Sequence, residues 1–554
     1  MKEYVWLKNY PQGVPQTIDL LKYRSVPDLF EDCVTKYGDS PAFENMGKRI
    51  SFNQLNTLSA QFAAFLQTSA QLQKGDRIII QMPNLLQYVV VMFGALRAGL
   101  VVVNTNPLYT TREMKHQFRD SGAAAIVILA NFAHNLEKIL PETSIKTVVI
   151  TEIGDMLGGF KGMMVNWVVR NIKKMVPNYR IKGAIKFKQA MHLGAGSSYT
   201  KPSVESSDIA FLQYTGGTTG VSKGAMLLHG NIVANMEQIA AWFGPRLGIM
   251  SEIVITPLPL YHIFALTINC LAMLKVGALN ILITNPRDMP AFIKELNNHK
   301  FTVITGVNTL FNGLLNQPGF AEVDFSTLKV TVGGGMAVQK AIAQKWKEVT
   351  GVPLAEGYGL TEASPVITCN PINGGEKLGS IGLPLPNTEV SIFDENDVEV
   401  PMGEIGELYA RGPQVMAGYW QRPGETEKTM HGDWLKTGDM AVAGEDGFFT
   451  IVDRKKDMIL VSGFNVYPNE IEDVIAAHPK VLEVAAIGIP DPKSTEAVKV
   501  FIVKKDITLT EKEVRDYCRE NLTGYKCPKQ VEFRSELPKT NVGKILRRKL
   551  KEEA

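Results

Sequence analysis

The sequence predicts an α/β protein with a large N-terminal domain of layered α/β subdomains and a small, mobile α+β domain at the C-terminus. Three observations point to this class. The 554 residues are several times the usual size of one domain. Short β-branched runs alternate with longer helical patterns through residues 1–452, which is typical of α/β layers with substantially parallel sheet. The pattern then changes at an all-charged stretch, residues 453–457.

The predicted elements of the large domain follow from hydrophobic periodicity. Residues 337–349 combine an apolar face with lysines on the other face, which predicts an amphipathic helix. The longest apolar run, residues 88–103, contains Arg97 and is shorter than the roughly 20 residues of a membrane-spanning helix, so no span is expected. Five short runs are predicted to be buried strands: residues 77–80, 125–128, 148–150, 254–255 and 303–304.

The all-charged stretch is either a solvated turn or a domain boundary, and we favour a hinge. It follows a predicted strand at 448–452 and leaves a C-terminal piece of normal size for a small domain. The expected division is therefore an N-terminal domain at 1–452, a hinge at 453–457 and a C-terminal domain at 458–554. In that last part the sequence predicts small α+β elements: helices at 470–477 and 511–521, and strands at 484–489 and 497–503.

Composition excludes several classes of protein. Hydrophobic residues make up 45% and charged residues 21% of the chain, which excludes a disordered, collagen-like or coiled-coil protein. The 59 Lys+Arg and 56 Asp+Glu give a net charge of only +3, which argues against nucleic acid as a partner. Five scattered cysteines without a CxxC pair argue against a disulfide framework or a zinc site and suit a reducing compartment. The N-terminus has no apolar core or cleavage site, so no signal peptide is expected.

A loop rich in glycine and threonine, residues 215–224, follows a predicted strand end at 211–214. We call it the phosphate loop. Its glycines let backbone amides approach a ligand closely, and its hydroxyls and one lysine suit a polyphosphate. It is neither a Walker A loop nor a G-x-G-x-x-G turn, and a flexible surface turn is the alternative. The full string is Thr215-Gly216-Gly217-Thr218-Thr219-Gly220-Val221-Ser222-Lys223-Gly224.

This string resembles the signature of the adenylate-forming enzymes, which include acyl-CoA synthetases, luciferases and adenylation domains of peptide synthetases. Gly217 and Ser222 depart from it, since Ser and Pro are usual there, and both keep a small residue. The resemblance continues along most of the chain, in residues 259–264, 332–336, 356–362, 434–439 and 537–544. It implies the two-domain adenylate-forming fold, with ATP as a substrate bound by residues 215–224.

The later motifs match family segments whose residues bind substrate or take part in catalysis, and the resemblance implies the same roles here. Tyr358 offers a flat face for adenine, in a segment that also contains Glu356 and Gly357, and Gly333, Gly334 and Gly335 match the segment along the adenine and the acyl tunnel. Asp439 and Arg454 match the ribose contacts, and Lys456 matches the hinge position. The resemblance implies four catalytic residues, Lys544, Thr361, Glu362 and His262, and a Mg²⁺ site at Thr215 and Glu362. Without the family match, His262 would be taken for a core histidine and Lys544 for part of a solvated helix face.

Within the family, residues 306–311, 458–468 and 522–526 look most like bacterial long-chain fatty-acid:CoA ligases. This resemblance implies that a fatty acid attacks the α-phosphate of ATP to give acyl-AMP, and that the CoA thiol then displaces AMP. Long-chain fatty acid, ATP and CoA are the expected substrates. Two alternatives stay open: an acyl-AMP ligase delivering to a carrier protein, although no carrier domain follows Ala554, and a non-catalytic acyl-nucleotide-binding protein. Chain-length preference and oligomeric state, including a homodimer, are left open.

A basic stretch between Asp155 and Glu205 suggests contact with membrane. It contains no acidic residue and nine basic ones. Phe160, Met163, Met164, Trp167, Val168, Ile172, Met175 and Val176 could form one broad apolar face. Either this face packs on the domain, or it docks on anionic lipid with help from Lys161, Arg170, Lys173 and Lys174. The second reading predicts a cytoplasmic protein partly associated, peripherally, with the inner membrane surface.

Overall fold

The computed structural model describes residues 4–215, 222–540 and 542–554. Within them, four β-sheets and their covering helices form a large N-terminal part and a small C-terminal part. The predicted α/β class with a small α+β C-terminal domain is confirmed. The phosphate-loop residues Gly216, Gly217, Thr218, Thr219, Gly220 and Val221 lie outside the described residues.

A seven-stranded sheet contains three of the predicted strands, each slightly longer than expected. Its pairs are parallel except the last, which is antiparallel. The Val/Ile-rich inner strands are buried on both faces, as parallel sheets require. In spatial order the strands are Ile185–Lys186, Thr147–Thr151, Ala125–Leu129, Arg77–Gln81, Val101–Asn104, Ile209–Thr215 and Lys223–Leu228.

A nine-stranded sheet contains the other two predicted strands. Its central pairs are parallel, and its edges are antiparallel. The main hydrophobic core joins this sheet to the seven-stranded one. In spatial order the strands are Leu383–Pro384, Val366–Cys369, Leu354–Gly359, Val330–Gly334, Val303–Gly306, Ile253–Thr256, Leu279–Leu282, Pro41–Asn45 and Lys48–Ser51.

A five-stranded antiparallel sheet leads to the predicted hinge. Its strands are Glu389–Phe393, Ile405–Arg411, Met430–His431, Trp434–Ala443 and Phe449–Arg454. The last strand runs two residues into the 453–457 segment, because Asp453 and Arg454 still pair with Met440 and Asp439. Only residues 455–457 form the turn.

Residues 458–554, which we call the C-terminal unit, have their own sheet and hydrophobic clusters. Its strands are Phe464–Val466, Ile459–Val461, Thr495–Lys504, Val481–Asp491 and Gln530–Arg534. Both predicted strands and both predicted helices of this part are confirmed, with shifted ends except for Glu511–Asn521. The hinge itself stays a prediction.

Helices pack on both sides of the two large sheets and also on both sides of the sheet of the C-terminal unit, where Leu550 lies on the face opposite to Ile471 and Val514. The apolar run 88–103 divides into a buried helix and a strand, and among the described residues no helix is long and apolar enough to span a membrane. The predicted helix at 337–349 is present with later ends. The α-helices are Val26–Tyr37, Phe52–Thr68, Leu86–Arg97, Thr111–Ser121, Ala133–Ile139, Gly159–Trp167, Phe187–Ala195, His229–Phe243, Met273–Lys275, Met289–Asn297, Asn308–Leu315, Lys340–Thr350, Pro423–Thr429, Pro468–Ala476, Glu511–Asn521 and Arg547–Glu553, with π-helical turns at Val168–Ile172 and Ala265–Ala272.

Candidate active site

One cavity of 2220 Å³ opens where the large sheets meet the C-terminal unit. Most of the predicted site residues that the structure describes contribute to its wall. They are Thr215, Ser222, Lys223, His262, Gly334, Gly335, Glu356, Gly357, Tyr358, Thr361, Glu362, Asp439, Arg454, Lys456 and Lys544. The carboxyl ends of parallel strands supply several of these positions, which is where ligands bind in open α/β sheets.

The predicted ribose pocket is preassembled. The Tyr358 hydroxyl donates a hydrogen bond of 2.6 Å to Oδ2 of Asp439, and Nε of Arg454 lies 3.4 Å from Oδ1. Burial raises the pKa of Asp439 above its ordinary value, and the Arg454 charge opposes that rise. Antiparallel pairing of Asp439 with Arg454 explains why the two side chains meet. A carboxylate held in this way can accept hydrogen bonds from ribose hydroxyls.

The predicted catalytic lysine lies inside the cavity. Burial, and after it the charge of Arg454, lower the pKa of Lys544 to about 8. Gly335 has a φ of +76°, and a Cβ there would lie 3.3 Å from Cε of Lys544, so the glycine makes room for the lysine. Lys544 also shares a small adjoining pocket with His262.

His262 is neutral at physiological pH. Burial and the nearby Lys544 charge lower the pKa of its imidazole to about 3. The backbone N–H of Phe264 donates to Nδ1 at 3.4 Å, which leaves Nε2 as the protonated nitrogen. A neutral imidazole on the cavity wall can donate a hydrogen bond to a carboxylate without adding a second full charge beside Lys544.

Glu362 and Thr215 supply oxygens of the kind that Mg²⁺ prefers. Both line the cavity. The negative charge of Glu362 raises the pKa of Lys544, which opposes the effect of burial. The carboxylate is therefore close enough to influence the charge of Lys544 inside the cavity. Thr361 follows the strand Leu354–Gly359 and begins the short turn that contains Glu362. This donor set fits the predicted metal.

The two described ends of the phosphate loop are held together. Thr215 pairs with Lys223 across an antiparallel ladder, and the Ser222 hydroxyl donates to the Thr215 carbonyl at 2.6 Å. Nζ of Lys223 lies 3.0 Å from a carboxylate oxygen of Glu425. Gly224 belongs to the strand and does not line the cavity; a Cβ there would lie 3.1 Å from the Tyr214 ring.

The glycine-rich strand ends have different roles. Gly334 and Gly357 line the cavity, and a Cβ at Gly334 would lie 2.9 Å from the Gly357 carbonyl. Gly333 does not line it: a Cβ there would lie 2.7 Å from Val338, so the glycine is required for packing.

Two further charged residues of the cavity wall have shifted pKa values. Burial raises the pKa of the Glu356 carboxyl to about 8, and burial lowers the pKa of the Lys456 ammonium.

Several cavity residues carry no motif in the sequence. An apolar part of the wall is formed by Ile239, Trp242, Phe243, Ile268, Ile381 and Leu385. Three of these residues belong to helix His229–Phe243, which is buried on almost all sides. From hydrophobic periodicity alone, such a helix would be assigned to the core and not to a binding site. Tyr419 and His116 also line the cavity. They lie far from the recognised motifs in sequence, so only the fold brings them there.

The fold and cavity together define a class of two-part enzymes with a nucleotide-sized site between the parts. The sequence matches the AMP-binding enzyme family over residues 30–420 and its C-terminal domain over residues 470–544. The chain therefore belongs to the AMP-binding enzyme family.

Relatives in this family are similar over their full length. The long-chain-fatty-acid–CoA ligase of Escherichia coli O157:H7 is 57% identical over 99% of this chain and 98% of its own. The enzyme of that name from Yersinia pestis is 57% identical over 100% and 98%. The enzyme of that name from Bacillus subtilis is 39% identical over 99% and 98%.

Two solved structures share the fold across both parts. The anthranilate CoA ligase AuaEII in complex with anthranoyl-AMP has a TM-score of 0.86 and 26% identity, covering 97% of this chain and 98% of its own. ATP-bound MatB from Rhodopseudomonas palustris has a TM-score of 0.81 and 28% identity, covering 95% and 98%.

Proposed function

We propose that this chain is a long-chain fatty acid:CoA ligase that uses ATP and forms an acyl-adenylate before the thioester. The observation that carries this proposal is that one cavity joins the Asp439–Tyr358 pocket, Lys544 and an apolar wall. The ribose pocket suits a nucleotide, the Lys544 ammonium suits groups of negative charge, and the apolar wall suits an alkyl chain.

The first step requires a fatty carboxylate to approach a triphosphate of like charge, so positioning and neutralisation dominate. Lys544 places a buried ammonium where charge develops on the α-phosphate, and Thr361 and neutral His262 offer hydrogen bonds. Thr215 and Glu362 would hold Mg²⁺, which neutralises triphosphate charge when bound. A thiol is a good nucleophile by itself, so the second step needs access for CoA more than a nucleophilic side chain.

The second step needs a different surface against acyl-AMP, and we propose that the C-terminal unit rotates about residues 453–457 to provide it. In the described arrangement the polar contacts between this unit and the large part include two at the cavity wall. Thr309 Oγ1 donates to the Gly543 carbonyl at 2.9 Å, and Asn312 Nδ2 donates to the Leu482 carbonyl at 2.8 Å. Individual hydrogen bonds of this kind, together with those that reach Asp453 from the C-terminal unit, can break and re-form, which is compatible with repeated undocking.

The test is a product assay with oleate, ATP, Mg²⁺ and the full chain, with and without CoA. A ligase releases pyrophosphate and forms oleoyl-CoA only when CoA is present. Oleoyl-AMP that transfers to a carrier protein and never to CoA would indicate the acyl-AMP ligase alternative. Binding of ATP and oleate without pyrophosphate release would indicate the non-catalytic alternative and overturn the proposal.

We also propose that the protein is cytoplasmic and docks peripherally on anionic membrane through helix Gly159–Trp167 and the turn Val168–Ile172, called here the apolar helix. Its apolar side chains face outward: Phe160 is 75% and Trp167 57% exposed, and Met163, Met164, Ile172 and Met175 are exposed as well. Val176 instead packs against the core of the seven-stranded sheet. The alternative that the whole face packs on the domain is thus wrong for most of its members.

Charges beside the apolar helix fit anionic lipid. Lys173 and Lys174 are exposed and form no ion pair with any part of the chain that the structure describes, whereas Arg170 pairs with Glu152 at 2.5 Å. Each basic group near an anionic surface contributes about 1 kcal/mol of attraction. Exposed aromatic and sulfur-containing side chains beside free lysines are typical of interfacial helices.

Sedimentation with phosphatidylglycerol vesicles tests this docking. Binding should be strong at low salt, weaker at high salt, and reduced about tenfold or more by Lys173→Glu with Lys174→Glu. Lys493→Glu with Lys505→Glu is the matched control, because both lysines are exposed on the C-terminal unit and have no ion-pair partner among the described residues. No binding at low salt, or equal loss in both double variants, would remove the proposal.

A further inference from the structure

Tyr419 lies against the carboxylate that is expected to bind Mg²⁺. Its hydroxyl donates a hydrogen bond of 2.6 Å to Oε1 of Glu362. The tyrosine side chain is buried, although it reaches the cavity wall. A phenol, with an ordinary pKa of about 10, is protonated at neutral pH, so the hydroxyl is the donor to this carboxylate.

The backbone around Tyr419 is fixed to the strand that follows the phosphate loop. The N–H of Met226 donates to the Gly418 carbonyl at 2.8 Å. The N–H of Trp420 donates to the Gly224 carbonyl at 2.8 Å. Because these bonds flank Tyr419 on both sides, its ring has a defined position relative to the loop. The backbone N–H of Met416 also donates to the Glu362 carbonyl at 2.8 Å, which ties the same segment to the metal side.

The face of the Tyr419 ring also makes a contact, with the lysine of the phosphate loop. Nζ of Lys223, the lysine of the phosphate loop, lies 4.4 Å from the ring centroid, within the range of a cation–π contact. Tyr419 therefore contacts the loop lysine through its ring and the Glu362 carboxylate through its hydroxyl. One side chain thus links the two groups expected on either side of the triphosphate.

We propose that Tyr419 is a positioning residue that orients the Glu362 carboxylate for Mg²⁺ in the complex with ATP, an inference that rests on the proposed function. A carboxylate has two oxygens, and the Tyr419 hydroxyl engages Oε1, which leaves Oε2 directed by that bond. Mg²⁺ tolerates little departure from octahedral geometry, so a carboxylate free to rotate binds it less well. Hydrogen-bond partners of ligating groups commonly contribute 10- to 100-fold to metal affinity.

The first experiment measures metal binding without turnover. Mn²⁺ replaces Mg²⁺ as an electron paramagnetic resonance probe, and α,β-methylene-ATP is present without fatty acid or CoA. Tyr419→Phe keeps the ring against Lys223 and removes only the hydroxyl. The Mn²⁺ dissociation constant should rise about 10- to 100-fold. The Mg²⁺ concentration for half-maximal adenylation should rise in parallel, while thioester formation from supplied oleoyl-AMP stays unchanged.

A matched control separates positioning from stability. Tyr409 is buried and donates to the carboxylate of Asp397, but it does not line the cavity. Tyr409→Phe should lower the melting temperature and leave Mn²⁺ affinity unchanged. Tyr419→Phe in a Glu362→Gln background should have no further effect on Mn²⁺ affinity, because the group that it orients has lost its charge.

The outcomes also separate this inference from the proposed function. Unchanged Mn²⁺ affinity in Tyr419→Phe, with a normal ligase reaction, overturns the positioning role alone. A further loss in the Glu362→Gln background also overturns it, because the hydroxyl would then act through another group. A chain that makes no oleoyl-CoA, yet loses Mn²⁺ affinity in Tyr419→Phe, overturns the ligase proposal and supports the role of Tyr419.

Discussion

At the scale of single residues, burial sets the properties of the site more than any direct contact does. The pKa of Lys544 is lowered to about 8 and that of His262 to about 3, in both cases with burial as the first cause. A lysine with such a pKa is still mostly protonated at neutral pH, whereas the histidine is not. Of this neighbouring pair, only Lys544 therefore carries a positive charge at neutral pH, and His262 adds none beside it.

Replacing Lys544 with Ala should separate the two half-reactions. Adenylation should fall about 10²–10³-fold, the effect expected when one preorganised electrostatic group is lost. Thioester formation from supplied oleoyl-AMP should be largely spared, because the proposed rotation withdraws the lysine before that step. Rapid-quench measurement of both half-reactions checks this, and equal losses in the two would contradict a role confined to adenylation.

Adenylation should also lose rate as the pH rises through the pKa of Lys544. Above about pH 8 the ammonium loses its proton, so kcat/KM for ATP, which reports the free enzyme, should fall about tenfold per pH unit. Lys544→Arg keeps a charge that does not titrate, so its residual activity should show no such alkaline fall. The same alkaline fall in Lys544→Arg would assign the titration to another group.

At the scale of elements, the C-terminal helix Arg547–Glu553 meets the predicted hinge. Nη1 of Arg547 lies 3.3 Å from Oδ1 of Asp453, and Nη2 lies 2.7 Å from Oε2 of Glu472. Asp453 precedes the turn at 455–457, whereas Arg547 and Glu472 follow it. The bond to Asp453 therefore crosses the turn at 455–457, and the bond to Glu472 remains within the C-terminal unit.

Asp453→Asn should weaken the arrangement described here without unfolding the C-terminal unit. Burial raises the pKa of Asp453 to about 6, so the carboxylate is charged at pH 7.5 and its pair with Arg547 is lost in the variant. A hydrogen bond to a charged group contributes about 1.5–3 kcal/mol, so adenylation should fall about 10- to 100-fold while thioester formation is kept. Asp457→Asn is the control, since Asp457 is the last residue of the turn and its carboxylate also lies near Arg547, at 3.6 Å from Nη1. Equal effects of the two substitutions on the half-reactions would show that the crossing bond has no special role.

How much of this could be predicted from the sequence depends on the kind of signal. Strands such as Ala125–Leu129 were predictable because short runs of Val and Ile between turn residues are typical of buried strands. The observed ends differ from the predicted ones by a residue or two, since backbone pairing in the sheet continues beyond the apolar run. The Asp439–Arg454 pair was predictable only as two separate motifs. The place of Tyr419 at the cavity was not predictable, because it depends on a backbone bridge to Ala225, almost two hundred residues away, that no local pattern encodes.

At the scale of the whole molecule, the C-terminal unit supplies Lys544 to a cavity built mainly by the large part, so the proposed catalysis depends on both parts. Lys456 lies in the turn between the units and also lines the cavity. The chain thus places its expected pivot beside the reacting groups, so a small change in backbone angles there displaces the whole C-terminal unit relative to the substrate.

Lys456→Pro should therefore hold the molecule in the arrangement described here. Proline fixes φ near −65° and restricts the preceding residue, which opposes rotation at the turn. No backbone hydrogen bond from the N–H of Lys456 is present among the described residues, so the substitution removes none there. We expect adenylation within about threefold of the unsubstituted rate and thioester formation lowered about 100-fold or more, as for a gated step. Lys456→Ala keeps the turn flexible and should retain both half-reactions. Thioester formation in Lys456→Pro at the rate of Lys456→Ala, with equal melting temperatures, would show that the units do not exchange about this turn.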